Sequence, residues 1–195
     1  MDSTGHSSSH ASAYYAKKLK KQKKRKRKGY TKNSVAVDTE KQVIVAQRTR
    51  KGPKNDNRDS VSMIRKSHRA VKPRGYSMDK GFDAEKNHKV ARKECRAESM
   101  IPIRERKRKR VKGRYRRLML EEFDEEKYHR RSIAETVISV EKRVFGDVLC
   151  SRSDRFRNKE VKLKNFCYNI YRHVKIFILE ILRVSTELLI VRIIK

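Results

Sequence analysis

Cysteine is scarce in this sequence: Cys95, Cys150 and Cys167 are an odd number, lie far apart and form no C-x-x-C pair. A disulfide framework, a thiolate zinc site and a dithiol redox centre therefore lack their ligands. The three read as buried or bystander thiols in a reducing compartment. No G-x-x-x-x-G-K-[ST] loop and no G-x-S-x-G elbow occurs, so nucleotide hydrolysis and serine hydrolase chemistry have no support. The chain does not open on a charged stretch followed by an apolar one, so no secretory signal is expected. Internal repeats of about 20–50 residues are absent as well.

Long uninterrupted apolar runs are also missing. The stretch from Val174 to Lys195 comes nearest, but Lys175, Glu180, Arg183, Glu187 and Arg192 break it, whereas a membrane span needs about 20 nearly uncharged residues. Glu180, Arg183 and Glu187 stand at helical spacing and form a polar stripe on an otherwise apolar helix. Residues 176–195 are therefore expected to form an amphipathic C-terminal helix that packs on a core or a partner, with no membrane contact.

Negative charge is in short supply. Lys and Arg number 54 against 23 Asp and Glu, for a formal net charge of +31 over 195 residues. An excess of this size and sign attracts phosphate backbones, which makes DNA or another polyanion the expected partner and the nucleoid or cytoplasm the expected location. Charged residues at 39% and a mean hydropathy of −0.94 stand near the composition of disordered chains. The length nonetheless allows one domain with a core. Much of the charge sits in two blocks: ten of twelve residues from Lys17 to Lys28 are basic, as are nine of twelve from Arg106 to Arg117. Neither can be a core element, and like-charged blocks often serve as phosphate-binding arms.

Between the blocks the pattern changes. Val35 and Val37 alternate with polar or small residues and are answered by Val43 and Val45 across a polar turn, which predicts a β-hairpin. A short helix is predicted from Ser60 to His68, capped by Asn57 or Asp59, followed by a strand from Arg74 to Met78 ending at Asp79. A helix over Asp83 to Cys95 and a strand over Glu98 to Ile103 come next. One or two helices should cover Leu118 to Phe145, and another Asn158 to Phe177. This order implies an α/β fold, a mixed sheet covered by helices. His88 and His129 are each isolated from a second zinc-type ligand and read as exposed helix positions.

The segment from Tyr128 to Lys142 carries the most information. On a helix of 3.6 residues per turn, Arg131 and Glu135 are i,i+4 neighbours, and Tyr128, Glu135 and Lys142 recur every two turns, so all four share one face. Alone, an Arg and a Glu at this spacing make an ordinary surface pair worth about 0.3–0.5 kcal/mol. The spacing Y-x2-R-x3-E-x6-K, however, resembles the signature around the catalytic glutamate of prokaryotic insertion-sequence transposases of the DDE type. Asp79-Lys80-Gly81-Phe82 resembles their D-x-G-[YF] motif, and Asp2-Ser3-Thr4-Gly5 the setting of their first aspartate. Weaker similarities lie in Gly52-Pro53-x-Asn55-Asp56 and in Tyr168-Asn169-x-x-Arg172.

The resemblance spans about residues 2 to 175 and implies a catalytic domain over 1–175 with an RNase H-like fold. Asp2, Asp79 and Glu135 would be its catalytic, metal-binding triad. Tyr128, Arg131 and Lys142 would contact DNA at the cleaved end. Two Mg2+ or Mn2+ ions would activate water or a 3′-hydroxyl for cleavage and strand transfer. Gly81 is expected to permit a tight strand-to-helix turn whose helix aims its N-terminus at the phosphate. The family places most of a strand before the first aspartate, so the first strand is expected to be largely missing, and the chain to be an N-terminally truncated form that holds DNA and cuts it poorly. Partners would be DNA and a second copy or a full-length transposase. The competing reading is a non-catalytic, basic nucleic-acid-binding protein, which the cationic blocks alone would predict. Asp56, Asp83, Glu85 and Glu98 are rival carboxylates.

Overall fold

Six consecutive residues, Thr31 to Ala36, are buried in strand β2 (Tyr30–Val37), and a strand buried on both faces belongs at the centre of a sheet. The computed structural model, which describes residues 1–7, 30–104 and 110–193 with side chains to residue 183, places it there. β2 pairs antiparallel with β1 (Asp2–Ser7) on one edge and with β3 (Ile44–Lys51) on the other. The predicted hairpin is thus β2–β3, with Val37 opposite Ile44. Its alternation has a different cause from the one read in the sequence. Both faces are covered, so Val35 and Ala36 point to two separate cores and the residues between the valines are as buried as the valines themselves.

On one face, Ala36 and Ala46 meet Met63 and Ile64 of helix α1 (Ser60–Val71) together with Met78 and Phe82. On the other, Val35 and Ile44 meet Val137 of helix α5 (Ser132–Phe145) and Tyr168 of helix α6 (Asp154–Ile193). Two of the polar residues buried in β2 have side-chain partners, Lys32 at Asp56 and Asn33 at Asn165 of α6 at 3.1 Å, whereas Ser34 Oγ has none. Unpaired, Lys32 and Asn33 would each carry a desolvation cost of about 1–3 kcal/mol or more.

The remaining strands, β4 (Gly75–Ser77) and β5 (Glu98–Met100), are shorter than the predicted 74–78 and 98–103 and form a separate two-stranded parallel sheet. Among the described residues the expected single mixed sheet is therefore two sheets. They meet where the Met1 amine donates to the carbonyl of Ser77. Between β4 and β5 in the chain, helix α2 (Glu85–Lys89) continues as a π-helical turn through Glu94.

Two elements have other bounds than expected. The first strand was expected to end at Asp2, whereas a strand begins there: Asp2 through Ser7 pair in register with Val35 through Tyr30. Asp2 opens this strand instead of ending it, because the residues after it, with Thr4 and the buried His6, supply the extended segment that β2's edge requires. The C-terminal helix expected to begin at 176 is a continuation of α6, which runs unbroken from Asp154 to Ile193. No Pro or Gly interrupts that stretch. Phe177, Ile178, Leu179, Ile181 and Leu182 are all exposed on it. No helix among the described residues is long and apolar enough to cross a membrane. The basic run from Lys17 to Lys28 and part of the second block, residues 106–109, lie outside the described residues.

Helix α6 is fastened by the residues that had suggested a motif. Asn169 accepts from the Ile44 amide and donates to the Ile44 carbonyl, both at 2.8 Å. Tyr168 donates to Gln42 O at 3.0 Å, and Arg172 to Lys41 O at 3.1 Å. Tyr168-Asn169-x-x-Arg172 thus clamps the helix on the β2–β3 turn.

Candidate active site

Three separate elements bring their acidic residues to one point. Asp2 opens β1, where the Ser3 amide donates to its Oδ1 at 2.8 Å and fixes the carboxylate. Burial holds the Asp2 carboxyl above the usual carboxylate range, against the opposing pull of that amide and of Arg131. Asp79 follows β4 and stands at the N-cap of a 3-10 turn, Lys80–Phe82, which the buried ring of Phe82 anchors in the core. Glu135 lies in the first turn of α5.

At their centre is Arg131, the residue that precedes α5. Its guanidinium lies 2.6 Å from Glu135, 3.6 Å from Asp2 and 4.0 Å from Asp79, with the side chain 19% exposed. The i,i+4 pair expected from spacing is present, and it is shared with two further carboxylates remote in sequence. Tyr128 sits on its own short helix, α4 (Glu125–His129), and not on the helix of Glu135. Arg131 still covers its ring, 5.6 Å from the centroid. Lys142, two turns beyond Glu135, is tied down elsewhere: its amine donates to Gly5 O at 2.8 Å and lies 3.0 Å from Asp147. The structure brings Asp2, Asp79, Glu135, Arg131 and Tyr128 together, and leaves Lys142 lower along β1.

The carboxylates fit a hard divalent cation by their chemistry, since Mg2+ and Mn2+ select oxygen donors. Two of them, Asp79 and Glu135, are about half exposed and open to solvent. Among the described residues no three His, Cys, Asp or Glu side chains are drawn close enough to hold an ion. Arg131 is what the three acids share.

Of the rival acids, three are committed elsewhere. Asp83 accepts twice from Arg116 at 2.6 Å. Glu85 accepts the amides of Tyr115 and Arg116 at 3.0 Å, at the start of helix α3 (Arg114–Leu118). Glu98 pairs with Lys127 at 2.8 Å. Asp56 differs, because Ser3 donates to it and Lys32 pairs with it, which places it beside the site. Gly81 has its reason there. Its backbone has no positive φ, but a Cβ would stand 2.9 Å from Asp56 Oδ2 and 3.7 Å from Asp79 Oδ2. The glycine clears room for two acids, and helix α2 begins only at Glu85, so its N-terminus does not follow Asp79 directly.

His88, read as exposed, is fully buried, with Nδ1 2.8 Å from Ser99 Oγ, and burial lowers its pKa to about 4. The helix it rides packs against β5, which an isolated histidine could not announce. His129 is exposed as expected. His6 and Glu141, which no sequence motif marks, are two buried groups that join β1 to α5. Strand alternation held the signal, since Asp2, Thr4 and His6 fall on one face.

Beside the site, a cleft of about 620 Å3 opens between the two sheets, with Met1 and Arg131 at its wall and Lys72, Arg74, Lys127 and Arg130 along it. Asp38, Glu40 and Glu98 also line it, so its character is mixed with a cationic excess.

No curated protein and no solved structure matches the chain. The family model for the transposase DDE domain matches residues 1–170. That span holds both sheets, the three carboxylates and Arg131, and the chain belongs to the transposase DDE-domain family.

Proposed function

We propose that the chain cleaves and joins DNA strands at the ends of a mobile element, with Asp2, Asp79 and Glu135 as carboxylate ligands for divalent metal. The observation that carries this reading is the convergence of the three acids, from β1, from the turn after β4 and from α5, on one guanidinium. Bound Mg2+ or Mn2+ would supply a nucleophile at neutral pH and stabilise charge on the attacking and leaving oxygens.

The chain's own residues do the rest. The carboxylates hold the cations, and Ser3 keeps Asp2 in orientation through its amide. Arg131 lines the basic cleft, with the Tyr128 ring 5.6 Å from its guanidinium, and a phosphate of the DNA end would be held there. Lys142 secures α5 to β1 through Gly5, and so keeps Glu135 at a set distance from Asp2. The RNase H-like arrangement belongs to the same proposal, supported by the antiparallel β1–β2–β3 sheet and the parallel β4–β5 pair beside it.

The test is nicking and strand joining by the purified chain on a labelled DNA duplex carrying the element's end, with Mg2+ or Mn2+. Loss of product on Glu135→Gln and on Asp79→Asn is expected, with DNA binding retained. Turnover that survives both substitutions would sink the assignment. DNA binding that ignores both acids and divalent ions would favour a purely basic binding protein.

A further inference from the structure

Arg131 has a position that a phosphate contact alone does not require. An exposed arginine reaching for DNA would face solvent, yet this one is four-fifths buried and its guanidinium is within 4.0 Å of three carboxylates, two of them from other elements. Three formal negative charges and one positive leave the cluster short of cationic charge, so the carboxylates remain good ligands for a second, more highly charged cation. A divalent ion among the same oxygens would stand a few ångströms from the guanidinium, and at ~4 Å like charges repel by about 1 kcal/mol per unit product even in a water-like dielectric. The guanidinium and the ion therefore compete for the same oxygens.

We infer that Arg131 is the resident counter-ion of the carboxylate cluster, holding it assembled without metal and giving way when a divalent cation binds. This rests on the proposed metal-binding role of the three acids. Arg131 has somewhere to go, since the Tyr128 ring lies beneath its guanidinium and the side chain borders the basic cleft. Of its three acidic contacts, the one to Glu135 is short and those to Asp2 and Asp79 are long, so displacement breaks one close ion pair. The released guanidinium then faces the cleft, where a DNA phosphate would sit. Metal loading and phosphate capture thereby become one coupled event, and such coupling acts equally in both directions.

The sign of one substitution separates this from a structural prop. A prop that gathers the acids would, when removed, weaken metal binding; a competing cation would, when removed, strengthen it. Mn2+ binding to the full chain is measured by titration of the free-ion EPR signal, for wild type, Arg131→Ala, Arg131→Met and Glu135→Gln. Arg131→Met keeps length and packing, and thermal melts show which variants are folded. Mn2+ affinity on the order of tenfold higher in both Arg131 variants is expected, the size that removing one nearby charge would produce, with Glu135→Gln weaker than wild type. If Arg131→Met binds Mn2+ no better than wild type while Glu135→Gln binds it worse, the counter-ion role is overturned and the metal reading stands. If no form binds Mn2+, both fall together.

Discussion

His6 Nε2 and Glu141 Oε2 lie 3.7 Å apart, both side chains buried, and join the strand that carries Asp2 to the helix that carries Glu135. Neither ring nitrogen of His6 has a hydrogen-bond partner, and neither has Glu141 Oε1. Burial pushes Glu141 up to about 7 and His6 down to about 4, so both are neutral in the weakly acid range. Lys142, Lys164 and Asp147 surround the pair and modulate these values.

The two shifts have opposite consequences for stability. Glu141 has a raised folded-state pKa, so its contribution is complete below about 4.5 and is lost as pH rises through about 7. His6 has a lowered one, so its contribution is complete above about 6.5 and is lost as pH falls through about 4. Between about 4.5 and 6.5 the slopes cancel. His6→Phe should expose the glutamate alone, and stability should then fall with rising pH across this window, by up to about 3 kcal/mol at ~1.4 kcal/mol per pKa unit. Glu141→Gln should expose the histidine alone and make stability climb across it. Urea melts at a series of pH values measure both, and parallel slopes in the two variants would refute the account.

Gly81→Ala should destabilise the chain by about 1–3 kcal/mol, the range for a methyl forced into a filled space. The added Cβ meets Asp56 Oδ2 at 2.9 Å, and Asp56 is held by Ser3 and Lys32, so it yields poorly. Combining Gly81→Ala with Asp56→Ala should cost less than the sum of the two changes. Thermal melts of the cycle decide it: strict additivity would mean the glycine serves some other purpose.

Asn169→Ala should lower stability by about 1–3 kcal/mol, because it leaves both the amide and the carbonyl of Ile44 without partners. Asn169→Asp retains the acceptor and loses the donor, so it should fall nearer the wild type than Ala does if the amide bond dominates. Tyr168→Phe removes a single hydrogen bond, to Gln42 O, and should cost about 1 kcal/mol. Urea midpoints for the three variants rank them, and an Asn169→Ala midpoint equal to wild type would release α6 from this clamp.

These contacts show why some of the molecule could be read from sequence and some could not. The hairpin, α1 and the Arg131–Glu135 pair follow from local period and spacing. Which faces are covered does not, and so the burial of Lys32, Asn33 and His88 was illegible: each depends on a partner from another element, at Asp56, Asn165 or Ser99. Asp59 illustrates the same point at a cap. Sequence marks it as a candidate N-cap of α1, yet its side chain makes no cap bond and instead accepts from Arg50 of β3 at 2.6 and 2.7 Å. The order of the acidic residues was legible by resemblance, but their common neighbour was not, because the 3.6 and 4.0 Å contacts of Arg131 cross from α5 to β1 and to the turn after β4.

The charge of the chain and the charge of the cluster make separable predictions for DNA. Basic residues that neutralise phosphates release counter-ions, so affinity for a duplex should fall with salt at a slope of about −0.9 per phosphate contacted, whatever happens at the carboxylates. Without divalent metal, Asp79→Asn with Glu135→Gln should leave that slope unchanged and raise affinity modestly, since two negative charges near a phosphate are gone. Adding Ca2+, a hard oxygen-seeking ion, should strengthen DNA binding by wild type and not by the double variant. Linkage requires DNA to tighten Ca2+ binding by the same factor, so fluorescence anisotropy for DNA and calorimetry for Ca2+ must agree. An equal gain with Ca2+ in both proteins would place the effect on the DNA or the basic surface and remove the carboxylate cluster from DNA recognition.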